Sequence, residues 1–141
     1  MRIAAIDYGR ARLGIAITDN SKTIAYPLKT VKASQTLEKT ALEILEALKQ
    51  HINEIELIII GLPLSLKGQD SKMALEVKEF AEKLKTKTNI PIKFIDERLT
   101  TAMAEKELKD TLNMNRKKRS SVIDPICATF ILQNYLSQQH H

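Results

Sequence analysis

The run Leu57-Ile58-Ile59-Ile60, closed by Gly61-Leu62-Pro63, constrains this chain more than any other feature. Successive side chains of a strand point to opposite sides of its sheet, so four consecutive apolar residues describe a strand buried on both faces. Such a strand lies inside a sheet, and both faces of that sheet must be covered by other elements. Gly61 and Pro63 then punctuate its end.

The rest of the chain supplies those elements. Arg2 to Asp7, Arg12 to Thr18 and Ile24 to Val31 are short β-type runs, separated by Gly9 and by the turn-forming Asp19-Asn20-Ser21-Lys22, which predicts an antiparallel meander. Leu37, Ala41, Ile44, Leu45, Leu48 and Ile52 recur at helical spacing, so a helix is expected from Thr36 to about His51, with Ser34 or Thr36 as N-cap. Met73, Val77, Phe80, Ala81 and Leu84 mark a second helix, and Ile92 to Ile95 a second buried strand. A third helix is expected from Thr100 to about Leu112. Asn113 to Ser120 lacks apolar periodicity and reads as a loop before a last helix through Ile126, Phe130, Ile131 and Tyr135.

Three antiparallel strands followed by alternating helices and strands predict an α/β fold. Its mixed five-stranded sheet would join a meander to parallel crossovers, with helices on its faces. A length of 141 residues suits one domain. Residues 1–137 are expected to form it, with 138–141 as a disordered tail whose two closing histidines carry no metal-site argument.

Lys and Arg outnumber Asp and Glu by 22 to 17, which favours a polyanionic partner without demanding one. The single cysteine, Cys127, rules out an intrachain disulfide or a Cys-rich zinc site, and its apolar neighbours suggest packing. No segment approaches the length of a membrane span, and the apolar run after Met1-Arg2 is too short for a signal peptide, so a cytoplasmic protein is expected.

In the parallel part of such a sheet ligands sit beyond the carboxyl ends of the strands. That rule gathers Asp7, the loop after Gly61 and Asp96-Glu97-Arg98 at one rim. Asp124 joins them as a candidate, because Cys127, Ala128 and Ile131 follow it at helical spacing and set it on an inward face. Each acid alone has an ordinary reading. Asp7 could close a turn, Glu97 could pair with Arg98 at the surface, and Asp124 before Pro125 could be an N-cap. Together they would repel, by roughly 4 kcal/mol for two unit charges about 4 Å apart at an effective dielectric near 20. Divalent cations give such a cluster a purpose. Hard oxygen ligands without convergent His or Cys favour one or two Mg²⁺ or Mn²⁺ ions, the chemistry of phosphodiester hydrolysis.

Four ordered motifs carry a resemblance. These are Asp7-Tyr8-Gly9-Arg10-Ala11-Arg12-Leu13-Gly14; Gly61-Leu62-Pro63 with Gly68; Asp96-Glu97-Arg98-Leu99-Thr100-Thr101; and Asp124 before a helix that ends Ile131-Leu132-Gln133-Asn134-Tyr135-Leu136. Through them nearly the whole chain resembles the YqgF family, the RuvX group of RuvC-like nucleases with an RNase H-like fold. The resemblance implies a catalytic and metal-binding acidic triad at Asp7, Glu97 and Asp124. It also implies an endonuclease that either matures the 5′ end of pre-16S rRNA during ribosome biogenesis or resolves Holliday junctions in DNA recombination. One departure stands out: Pro125 follows Asp124, and because proline fits a first helical turn, the last helix is expected to begin close to Asp124.

Candidate nucleic-acid contacts are Arg10, Arg12, Lys67, Arg98 and the run Arg116-Lys117-Lys118-Arg119, with Arg10 favoured over Arg12. Such basic runs are often only solvated, but a phosphate-backbone contact is the favoured reading of this one, and scattered aromatics define no base-stacking platform. The nucleic acid would be pre-rRNA on the assembling small ribosomal subunit, or branched DNA. Two other classes remain: a non-catalytic RNA-binding assembly factor, and a nucleotide-binding module of the actin-like kind, for which the chain is short and poor in glycine.

Overall fold

The structure, a computed structural model, describes residues 1–63, 72–96 and 116–139, with the backbone alone over 116–124. Strands β1 (Arg2–Asp7), β2 (Arg12–Thr18), β3 (Ala25–Lys32), β4 (Ile55–Leu62) and β5 (Ile92–Asp96) form one sheet in the order β3-β2-β1-β4-β5. β1, β2 and β3 make the antiparallel meander, whereas β1–β4 and β4–β5 are parallel. β4, which holds the Leu57–Ile60 run, is an interior strand as its composition requires.

Helices cover both faces. α1 (Leu37–Ala47) and α2 (Lys72–Lys85) pack Ile44, Val77, Phe80 and Leu84 against Ile6, Leu13, Ile15, Ile58 and Ile60. On the other face α3 (Arg116–Gln139) packs Ala128, Ile131, Leu132 and Leu136 against Ile3, Ala5, Ala16, Ala25 and Ile59. Ala5, Ala16 and Ala25 are small residues on that face. Residue parity along each strand thus separates an α1/α2 face from an α3 face. Thr36 caps α1, its hydroxyl accepting the Lys39 amide at 3.1 Å.

Several sequence expectations are corrected. β3 starts at Ala25 because the Ile24 amide bonds the Asp19 carboxylate instead of a neighbouring strand. α1 stops at Ala47: the Leu48 amide is shared between the Ile44 and Leu45 carbonyls, tightening the chain into a 3₁₀ turn over Lys49–Glu54. β5 is an edge strand with half-buried Ile92, Phe94 and Ile95 rather than a fully buried one.

The largest correction concerns residues 116–125. Helix α3 already includes Arg116, so the basic run is helical and Pro125 lies inside the helix instead of at its start. Lys and Arg are good helix formers, but a helical turn that buries no apolar stripe has no periodicity to reveal it. Pro125 leaves the helix without one amide donor, and four residues on Thr129 donates its hydroxyl to the Pro125 carbonyl at 2.8 Å. α3 continues through Gln138 and Gln139, the first half of the expected tail. The helix expected at Thr100 to Leu112 lies outside the described residues. Among the described residues no helix is long and apolar enough to cross a membrane.

Candidate functional site

The carboxyl ends of β1, β4 and β5 meet at one rim. Ile6 pairs with Ile60, Gly61 with Ile95 and Leu62 with Asp96, so Asp7 stands one residue beyond the Ile6–Ile60 pair, level with Gly61 and Ile95. Asp7 also pairs with Gly14 across β2. By strand parity it shares its face with Ile3 and Ala5, the face that carries α3, and it is half-buried there.

Asp96 ends β5 exposed, with parity opposite to Ile95 and so away from the α3 face. Glu97 follows it in the chain and lies outside the described residues, as do Lys67, Gly68, Arg98, Thr100 and Thr101.

The direction of α3 locates Asp124. Tyr135, Leu136 and Gln139 line a cavity of about 440 Å³ with Ile3, Leu57, Pro91 and the β2–β3 turn at Ser21-Lys22, all at the rim opposite Asp7. The helix therefore runs from the Asp7 rim toward the far one. Residue 124, one turn before Ala128, belongs to the half directed at Asp7. Its backbone alone is described, as for Arg116, Lys117, Lys118 and Arg119.

The Gly9–Arg12 turn is unusually tight. A Cβ on Gly9 would stand 2.5 Å from the Arg12 carbonyl oxygen, so only glycine fits. The Ala33 amide donates to the Ala11 carbonyl at 2.9 Å, tying the turn to the end of β3. Tyr8 is buried with its ring 5.1 Å from that of Phe80. Burial first, and then its hydrogen bond to Glu76, raise the Tyr8 phenol well above the ordinary tyrosine range. Glu76 also lies 3.9 Å from Arg10.

The two arginines thus part company. Arg10 borders a cleft of about 360 Å³ lined by Tyr8, Ser34, Thr36, Glu76 and Glu79, whose carboxylates make it a poor anion site. Arg12 belongs to β2 at the same parity as Gly14 and therefore shares the α3 face with Asp7. Its direct cross-strand partner is Lys32, a cation the sequence reading missed because pairing register is invisible without the sheet.

Among the described residues no three His, Cys, Asp or Glu side chains gather closely enough to hold a metal. The donor chemistry nevertheless fits a hard divalent ion: Asp7 offers carboxylate oxygens at a strand end.

The sequence matches the RuvX family, described as Holliday junction resolvase, over residues 1–138. The chain belongs to the RuvX family. A relative from Protochlamydia amoebophila, named "Putative pre-16S rRNA nuclease", is 45% identical, with 98% of this chain and 94% of that protein covered. A relative of the same name from Thermoanaerobacter pseudethanolicus is 43% identical, covering 99% and 98%. RuvC of Thermus thermophilus, solved with a Holliday junction substrate, has a TM-score of 0.58 at 15% identity, covering 99% of this chain and 96% of RuvC. The nuclease domain of human cytomegalovirus terminase has a TM-score of 0.52 at 11% identity, covering 93% and 80%. Those two likenesses establish a RuvC-like, RNase H-like fold. With RuvX membership comes the reaction class: the chain is a nuclease, a hydrolase acting on the ester bonds of nucleic acid.

Proposed function

We propose that this RuvX protein is a metal-dependent endonuclease that matures the 5′ end of pre-16S rRNA in the cytoplasm, on the assembling small ribosomal subunit. The observation that carries the reading is the place of Asp7, a carboxylate at the end of β1 in line with Gly61 and Ile95, on the face covered by α3. The names of the 45% and 43% identical relatives support the RNA substrate.

Asp7, Glu97 and Asp124 would hold one or two Mg²⁺ or Mn²⁺ ions, which would supply positive charge against the phosphoryl oxygens and lower the pKa of water. The β1–β2 ladder, in which Asp7 pairs with Gly14, sets the place of this carboxylate at the rim. Arg12 directs positive charge to the same face, and Arg98, Lys67 and the helical run Arg116 to Arg119 would contact phosphates along the substrate. Arg10, 3.9 Å from Glu76 and beside a cleft lined by carboxylates, is the weaker phosphate contact of the two turn arginines.

A second reading, Holliday-junction resolution, draws on the family description and on the fold shared with RuvC. It requires two coordinated active sites and hence a symmetric dimer. The test is cleavage of matched single-stranded RNA, duplex DNA and four-way junctions with Mg²⁺, Mn²⁺ or EDTA. Metal-dependent cutting of RNA is expected, junction-selective cutting would move the assignment to the resolvase, and tight binding without cutting would leave an assembly factor.

A further inference from the structure

Arg12 and Lys32 face each other across the β2–β3 ladder. The Ala33 amide bonds the directly opposite Ala11 carbonyl, so Ala11 and Ala33 form a hydrogen-bonded pair and Arg12–Lys32 is the next, non-hydrogen-bonded one. In such pairs the Cα atoms approach to about 4.5 Å and the side chains lie closest. Like charges directly opposite destabilise a sheet. Both residues are exposed, and among the described residues no carboxylate is paired with Lys32.

Position gives the pair a use. Asp7 pairs with Gly14, and Gly14 with Thr30, so Lys32 lies two strands and two residues from Asp7 on the same face. Strand spacings near 4.8 Å and a rise near 3.4 Å per residue make that about 12 Å between backbones. A nucleic-acid strand rising about 3.4 Å per residue covers the interval in three to four nucleotides. Lys29, equally exposed on β3, pairs with Ile15 on the opposite face.

We propose that Lys32, paired with Arg12, binds a backbone phosphate of the nucleic-acid substrate and guides the strand over the β2–β3 corner to Asp7. This rests on the nuclease reading and adds a binding residue to it.

The test measures affinity of the full chain for single-stranded RNA and duplex DNA by fluorescence anisotropy in EDTA, across a salt series. Wild type, Lys32→Gln and Lys29→Gln are compared, with melting temperatures and with wild-type cleavage in Mg²⁺ as a separate arm. Lys32→Gln is expected to flatten the log-log salt slope by about 0.9 on duplex or about 0.7 on single strands. A change of about 0.9 over the decade from 1 M to 0.1 M salt corresponds to about eight-fold weaker duplex binding at 0.1 M. Its melting temperature should hold or rise, and Lys29→Gln should bind like wild type. Unchanged slope and affinity in Lys32→Gln, with wild type binding and cutting, would overturn the proposal alone. Equal losses in both lysine variants would overturn it in favour of diffuse charge, and a wild type that neither binds nor cuts would overturn it together with the nuclease reading.

Discussion

Replacing Gly9 with alanine puts a methyl carbon 2.5 Å from the Arg12 carbonyl oxygen, where ordinary contacts begin at 3.4 Å. The obstacle is backbone, so no rotamer change clears it; the turn itself must open by about 0.9 Å, a strain in the range of overpacking, about 1–3 kcal/mol. For a domain of 141 residues, an unfolding entropy near 2.1 cal/mol/K per residue converts about 2 kcal/mol into a fall of about 7 °C in Tm. Opening the turn also pulls on the Ala33–Ala11 hydrogen bond, which holds Arg12 level with Lys32. Calorimetry should therefore show a lower Tm, and anisotropy a weaker affinity for nucleic acid. Ala11→Gly, which adds no atom, is the comparator and should lose no more than about 1 kcal/mol. A Gly9→Ala protein that melts within about 2 °C of wild type and binds with unchanged salt dependence would refute the reasoning.

Two further outcomes are expected. Asp19 accepts hydrogen bonds from the Ser21 hydroxyl and from the Ile24 and Thr23 amides, which lower its carboxyl to about 2. A depressed folded-state pKa gives stability that is present above the unfolded value near 3.9 and is lost as pH falls toward 2. Asp19→Asn should therefore flatten the loss of stability between about pH 4 and pH 2 in urea titrations, and an identical acid limb would contradict the assignment. Replacing Arg116, Lys117, Lys118 and Arg119 together with glutamine keeps good helix formers in α3, so circular dichroism should change little. The salt slope should flatten by about 0.9 for each duplex phosphate that the run no longer neutralises. An unchanged slope would reduce this run to a solvated helical turn.

Burial pattern decided what could be read in advance. β1 and β2 match their expected bounds, and the Leu57–Ile60 run is interior, because alternation and continuous apolarity report burial directly. Thr36 was legible as a cap for an equally local reason. The start of α3 was not, since Arg116 to Ser120 carries helix-forming residues without an apolar stripe, and Pro125 argued for a later start. β5 looked fully buried because sequence cannot tell an interior strand from an edge that is half covered. At the site, Asp7 was legible as a strand-end acid. The separation of Arg10 from Arg12 and the pairing of Lys32 with Arg12 depend on sheet register, which couples residues twenty positions apart and leaves no local trace. Glu76 reaches Tyr8 and Arg10 from α2 for the same reason.

The central claim is that the Asp7 carboxylate holds the catalytic ion at the rim of β1. The decisive measurement is cleavage of a pre-16S rRNA fragment by wild type and by Asp7→Asn in Mn²⁺ and in Mg²⁺, with Tm recorded for both proteins. Cutting by wild type that EDTA abolishes is expected, and none by Asp7→Asn, whose Tm should be equal or higher through relief of the repulsion within the proposed acidic triad. Wild-type rates in an Asp7→Asn protein that is folded would contradict it.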